Sequence, residues 1–137
     1  MSWDRATGYS DGAARGNPGP AGAGGILIDK DTGEIVELGR FLGAQTNNVA
    51  EYEGFIMVLE AAKSRGVREL SMCTDSELLV KQIQGVYRVK AEHLMPFVEK
   101  AKALMKAFPR IDIKHVRREL NKEADRMSNL AIDNKMK

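Results

Sequence analysis

The chain contains one cysteine, Cys73, and two histidines among its 137 residues. A lone cysteine cannot close an internal disulfide, and Cys73 sits in an apolar run. A reducing compartment therefore fits, and the expected location is cytoplasmic. No window approaches the roughly 18 to 20 consecutive apolar residues that a spanning helix needs, so no membrane association is expected. The start, Met1-Ser2-Trp3, has no basic stretch leading into an apolar one, so no secretory leader is visible. Internal repeats and low-complexity tracts are also absent. The net charge of +2 permits a polyanionic partner without demanding one. No large apolar surface stripe is evident, which makes a monomer the default. At this length a single domain over 1–137 can bury its own core without disulfides or a structural metal.

Ala6 to Asp11 reads as a strand that breaks into a Gly/Pro loop, and Ala23 to Ile28 as a second, followed by the turn signal Asp-Lys-Asp-Thr-Gly at 29–33. Glu34 to Leu42 gives a third, completing an antiparallel meander. From Asn48 the period becomes helical, with Tyr52, Phe55, Ile56, Leu59 and Ala62 repeating until Gly66. Glu69 to Cys73 is a short strand, after which Asp75 or Ser76 can cap a helix reaching about Gln84, with Gly85 ending it. Leu94, Phe97, Val98, Ala101, Leu104 and Met105 mark another helix, which stops before Pro109. Ile111 to Val116 is a last strand, and Asn121 to about Asn134 a last helix with Ala124, Met127 and Ala131 inward. The order β-β-β-α-β-α-α-β-α implies an α/β domain built on a mixed sheet with helices on both faces.

Four acids stand in legible contexts: Asp11 in Ser-Asp-Gly, Glu51 in Asn-Asn-Val-Ala-Glu, Asp75 in Thr-Asp-Ser and Asp125 in Glu-Ala-Asp. Each is placed where a strand ends or a helix begins. Gly12 after Asp11 permits close backbone approach. Glu51 borders the apolar stripe through Phe55, Val58 and Ala62. Asp75 follows a strand at the carboxyl edge where open α/β sheets hold ligands. Each also has a plainer reading. Asp11 can be a turn acid, Glu51 a capping-box partner of Asn48, Asp75 an N-cap and Asp125 an exposed helix acid. If the four converge, divalent cations are what makes such a cluster tolerable.

Taken together, Asp11-Gly-x-x-x-Gly-Asn-Pro-Gly19, Thr46-Asn47-Asn48 with Glu51, Thr74-Asp75-Ser76 and Asn121-Lys-Glu-Ala-Asp125 resemble, in order and over nearly the whole chain, type 1 ribonuclease H. The resemblance implies a ribonuclease H-like fold with a five-stranded mixed sheet. It implies an endonuclease that cuts the RNA strand of RNA–DNA hybrids, leaving 5′-phosphate and 3′-hydroxyl ends. Asp11, Glu51, Asp75 and Asp125 would be the catalytic acids and the ligands of two Mg²⁺ ions roughly 4 Å apart, with Mn²⁺ as a substitute. Asn17, Asn47 and Asn48 would bind the substrate, Asn17 and Asn48 approaching the RNA strand through the minor groove, where the 2′-hydroxyl tells RNA from DNA, and Thr46 would sit near a phosphate of the DNA strand.

The chain departs from the family pattern in two places. Many members carry a basic helix between the two middle helices, whereas here Gly85 to Leu94 offers only Arg88 and Lys90. This compact form implies weaker hybrid affinity and a sharper need for low salt, with phosphate contacts left to Lys81, Arg88, Lys90, Arg117 and Arg118. Members often place a mobile histidine in a long loop before the last helix. Here that loop is short, with His115 reading as the end of its strand, and Arg118, Glu119 and His115 are the candidate phosphate or proton helpers. His93 reads as a surface residue at a helix start. The same fold can also serve as a binding module without catalysis. A nucleotide-binding reading of the Gly-rich loop fails, since it lacks both a Lys-Ser/Thr ending and Gly-x-Gly-x-x-Gly spacing.

Overall fold

In the computed structural model residues 2–136 are described, and Met1 and Lys137, the two ends of the expected domain, lie outside the described residues. The meander forms as β1 (Arg5–Ala14), β2 (Gly19–Asp29) and β3 (Ile35–Gln45). Its second turn is the expected one. The Gly33 amide donates to the Asp29 carbonyl, the Asp31 amide to the Asp29 carboxylate, and Gly33 adopts φ 79°. There follow α1 (Asn47–Ser64), β4 (Glu69–Thr74), α2 (Glu77–Ile83), α3 (Met95–Met105), β5 (Arg110–His115) and α4 (Lys122–Asn134). Short 3-10 turns lie at Glu92–Leu94 and Arg118–Leu120.

The five strands lie in the order β3-β2-β1-β4-β5. β1 is antiparallel to β2 and parallel to β4, and β4 is parallel to β5, so the sheet is mixed. Direction changes at β1, and its carboxyl end beside that of β4 is where this kind of topology opens a crevice. α1 covers one face with α3 beside it, and α4 covers the other. Glycines of β2 alternate accordingly. A Cβ on Gly22 or Gly24 would strike the backbone of Ser128 in α4, whereas one on Gly25 would strike Val58 of α1. Phe55, Leu59, Leu27, Leu70 and Met72 form the buried centre between α1 and the sheet. Full burial of a side chain of this size contributes about 1.5–3 kcal/mol. Ala124, Met127 and Ala131 face inward from α4 as expected, joined by Ser128 and Ile132.

Three strand boundaries differ from expectation. β1 does not end at Asp11 but runs three residues further, because Asp11 to Ala14 pair with Gly24 to Ala21 of β2. What ends there is the ladder with β4, whose last pair is Ser10 with Thr74. β2 likewise begins at Gly19, and β3 continues to Gln45. Gly- and Pro-rich words read locally as turns, yet they pair here because β1 and β3 lie alongside, the β3 ladder slipping by one residue between Ala21 and Gly22. One local apolar patch does exist, rimmed by Glu37, Glu119, Lys122 and Glu123. Tyr9, Ile26, Ile28, Ile35 and Leu120 line an open hollow of about 490 Å³ on the α4 face, with Ile35 59% and Leu120 67% exposed. Its members come from three strands and a turn, so no single stretch reveals it. Among the described residues no helix is long and apolar enough to cross a membrane.

Candidate active site

α1 lies on β1 almost backbone to backbone, and this is what brings Glu51 to Asp11. A Cβ on Gly12 would fall 2.1 Å from the Ala50 carbonyl carbon, and one on Gly54 would fall 2.2 Å from the Asp11 carbonyl oxygen. Real side chains cannot occupy those positions, so glycine on both elements permits the crossing. Asp11 itself is 7% exposed, and the Gly12 amide donates to its Oδ1 at 2.8 Å.

Ser76, not Asp75, caps α2: its Oγ accepts from the Leu79 amide at 3.2 Å. That leaves the Asp75 carboxylate available to the cleft. The Ser76 hydroxyl also donates to Glu51 Oε1 at 3.3 Å, tying the acid of α1 to the end of β4. Glu51 is therefore no capping-box acid. The N-cap of α1 is Thr46, whose Oγ1 accepts from the Val49 amide.

Asp11, Glu51 and Asp75 each present an oxygen such that the three lie within 4.8 Å of one another. Asp125, in the first turn of α4, completes the acidic lining of an open cleft of about 330 Å³ with Asn47 and Arg118. Burial, reinforced by Asp75 and Asp125, pushes the Asp11 carboxyl up to about 8 against the pull of the Gly12 amide. Burial likewise pushes the Glu51 carboxyl up to about 7, with Asp75 adding to it and Ser76 and Arg118 opposing. Arg118 reaches Asp75 at 3.9 Å, but its side chain is 88% exposed, so it offsets little of the clustered charge. Close, partly buried carboxylates with no internal cation among them suit a hard divalent ion, which accepts several oxygen ligands. The donor set therefore fits the metal chemistry implied by the sequence.

The remaining candidates divide. Asn47 lines the acid cleft; its Oδ1 accepts from the Ala14 amide and its own amide donates to Asn17 Oδ1, which locks the β1–β2 loop onto the start of α1. Asn48 faces the adjoining hollow with Leu78, Tyr87, Arg88 and Lys90. Of the three candidate helpers, only Arg118 lines the cleft. His115 is exposed at the last position of β5, paired with Thr74. Glu119 lines the apolar hollow on the α4 face instead. His93 is exposed within its 3-10 turn. Residues 84–91 form no helix, so no basic helix stands between α2 and α3.

Sequence reasoning passed over Gly54, and read Ser76 as a possible cap but not as a partner of Glu51. Gly54 did leave a signal, since a glycine three residues past Glu51 inside a helix costs about 1 kcal/mol relative to alanine and calls for a packing reason.

The raised carboxyls carry a consequence for stability. Above about pH 4 the folded protein holds protons that the unfolded chain has already released, on Glu51 up to about pH 7 and on Asp11 up to about pH 8. Stability in metal-free buffer therefore falls as pH rises through this window. Protons and cations compete for the same oxygens, so Mg²⁺ should raise the melting temperature more at pH 8.5 than at pH 5.5. Thermal melts at the two pH values, with Mg²⁺ and with chelator, check both statements. A larger metal effect at the lower pH would contradict them.

Residues 9–131 match the family described as reverse transcriptase-like. Ribonuclease HI of Halobacterium salinarum is 40% identical over 125 residues, covering 91% of this chain and 63% of that protein. The bifunctional protein Rv2228c of Mycobacterium tuberculosis is 41% identical over 125 residues, covering 90% of this chain and 34% of that protein. The chain thus spans less than two thirds of the length of these relatives. The crystal structure of RNase H1 from Halobacterium salinarum superposes with TM-score 0.90 at 40% identity, over 95% of this chain and 98% of that one. LC11-RNase H1, solved in complex with an RNA/DNA hybrid, gives 0.88 at 40% identity, over 95% and 98%.

Proposed function

The chain belongs to the type 1 ribonuclease H family, and on that premise we propose that it hydrolyses the RNA strand of RNA–DNA hybrids, leaving 5′-phosphate and 3′-hydroxyl ends. The observation that carries the reading is the grouping of Asp11, Glu51 and Asp75 oxygens within 4.8 Å at the carboxyl end of the parallel strands. A binding module would gain nothing from buried negative charge beside a polyanion.

Asp11, Glu51, Asp75 and Asp125 would hold two Mg²⁺ ions, or Mn²⁺ in their place. When bound, such ions polarise a phosphodiester and make water a better nucleophile at neutral pH. The protein's own part is positional. Asp11 is fixed by the Gly12 amide, Glu51 by Ser76, and Asp75 by its place just past β4. The Arg118 guanidinium, exposed on the cleft wall, suits an incoming phosphate. Asn47 in the cleft, with Asn17 bonded to it and Asn48 next in sequence, offers amides to the minor groove, where 2′-hydroxyls identify RNA. The Thr46 hydroxyl, engaged as an acceptor in capping α1, keeps its proton for a phosphate of the DNA strand. The fold would act as a monomeric single domain in a reducing, cytoplasmic setting, consistent with the free buried Cys73.

The test is a matched panel of RNA–DNA hybrid, duplex RNA and duplex DNA, each with Mg²⁺ and with chelator. Cleavage of the hybrid alone, and only with the ion, is expected. Binding of all three without cleavage of any would instead favour the module.

A further inference from the structure

Asn121 is buried to 1% exposure in the turn that joins β5 to α4, and all its hydrogen bonds lead toward the acid cleft. Its side-chain Nδ2 donates to the Ser10 carbonyl at 2.9 Å, across 111 positions of sequence. Ser10 precedes Asp11 and marks the last rung of the β1–β4 ladder. The Asn121 carbonyl accepts from the Asp125 amide at 3.1 Å, and the Asn121 amide donates to the Arg118 carbonyl at 3.0 Å. One residue thus ties together the backbones beside Asp11, Asp125 and Arg118, which come from β1, α4 and the 3-10 turn before it. Asp125 is otherwise exposed on a helix whose buried contacts lie with Ala124, Met127 and Ser128 on its other side.

Without this strut Asp125 is held relative to Asp11 by the packing of α4 against the sheet, where Ala124 and Ser128 meet the backbone of Gly24, and by exposed ion pairs of Arg15 with Asp133 and Arg126 with Glu37. Packing fixes the helix axis more firmly than the position of its first turn, since helix ends fray. We propose that Asn121 is a positioning residue of the acid site, which holds Asp125 and Arg118 at a set distance from Asp11 through the Ser10 carbonyl. The inference rests on the nuclease reading for its purpose, though not for its geometry.

Asn121→Ala removes the donor and tests this directly. Calorimetric titration with Mn²⁺, without nucleic acid, should show affinity lowered about 10–100-fold, the usual cost of losing a group that orients metal ligands. On a hybrid substrate kcat should fall over the same range while KM stays within about twofold. In the Mn²⁺ titration, adding Asn121→Ala to Asp125→Asn should then cost no more than Asp125→Asn alone, because Asn121 reaches the ion through Asp125. Asn121→Ser, shorter and still polar, serves if the alanine variant does not fold. Met127→Ala, a packing loss on the same helix, should leave Mn²⁺ affinity unchanged at temperatures well below its melting point. Wild-type affinity in the Asn121 variants, an equal loss in Met127→Ala, or additive losses in the double variant would each overturn the proposal. Wild-type protein that binds Mn²⁺ but leaves the hybrid intact would sink the nuclease reading alone, since the calorimetric arm needs no turnover.

Discussion

Asp11→Asn should abolish hydrolysis of an RNA–DNA hybrid while leaving the circular dichroism spectrum and the hybrid's KM nearly unchanged. Asp11 is the most enclosed of the four acids and the one both Asp75 and Asp125 act upon. Replacing one oxygen by an amide keeps its shape and the Gly12 contact at Oδ1 but removes a charged ligand from the centre of the cluster. Metal-assisted charge stabilisation is worth several kcal/mol, so the loss in kcat should be at least roughly a thousandfold. The same substitution should raise the melting temperature in metal-free buffer, most visibly above pH 8, where Asp11 would otherwise carry its charge inside the acid cluster. In saturating Mg²⁺ the order should reverse, because the wild type gains binding energy that the variant cannot. Retained cleavage would refute the role of Asp11. An unchanged or lower metal-free melting temperature would argue that the acids do not repel one another.

The largest effect on stability is expected at Gly54. Two contributions oppose each other there. Alanine favours a helix interior over glycine by about 1 kcal/mol, which alone predicts stabilisation. Against it, the new Cβ would sit 2.2 Å from the Asp11 carbonyl oxygen, which is backbone and cannot rotate aside. Forced overpacking costs about 1–3 kcal/mol and more where the neighbour is rigid, so packing wins. Gly54→Ala should lower the melting temperature by roughly 10 °C, following the usual scaling for a domain of this size. It should also cost activity well below that temperature, since separating α1 from β1 carries Glu51 away from Asp11. A raised melting temperature would show that α1 can tilt off the strand at little cost. Retained activity would show that Glu51 does not depend on that contact.

The sequence was most legible where chemistry is written locally. Helical spacing of Tyr52, Phe55, Leu59 and Ala62 forecast the buried side of α1, and all four are buried. The words around Asp11, Glu51 and Asp75 forecast their meeting, which the structure bears out geometrically. Legibility failed wherever a partner distant in sequence decides. Gly19 to Gly22 pair in β2 although their composition reads as loop, because Gln45 to Phe41 and Ala14 to Ala13 lie alongside. Choosing between Asp75 and Ser76 as the cap required seeing that Ser76 also holds Glu51. Glu119 and Arg118 are adjacent in sequence, yet the 3-10 turn sends one to the apolar hollow and the other to the cleft. Asn121 offered no local sign of its bond to Ser10, since a buried asparagine and an exposed one read alike.

The central claim is that one acid cleft cuts one strand, with divalent ions and not without them. The most direct measurement is a time course on a hybrid labelled separately on each strand, in Mg²⁺ and in chelator, with the fragment ends identified. Fragments from the RNA strand alone, ending in 3′-hydroxyl and 5′-phosphate and absent with chelator, are the expected result. Cleavage of the DNA strand, or RNA cleavage that survives chelation, would contradict it.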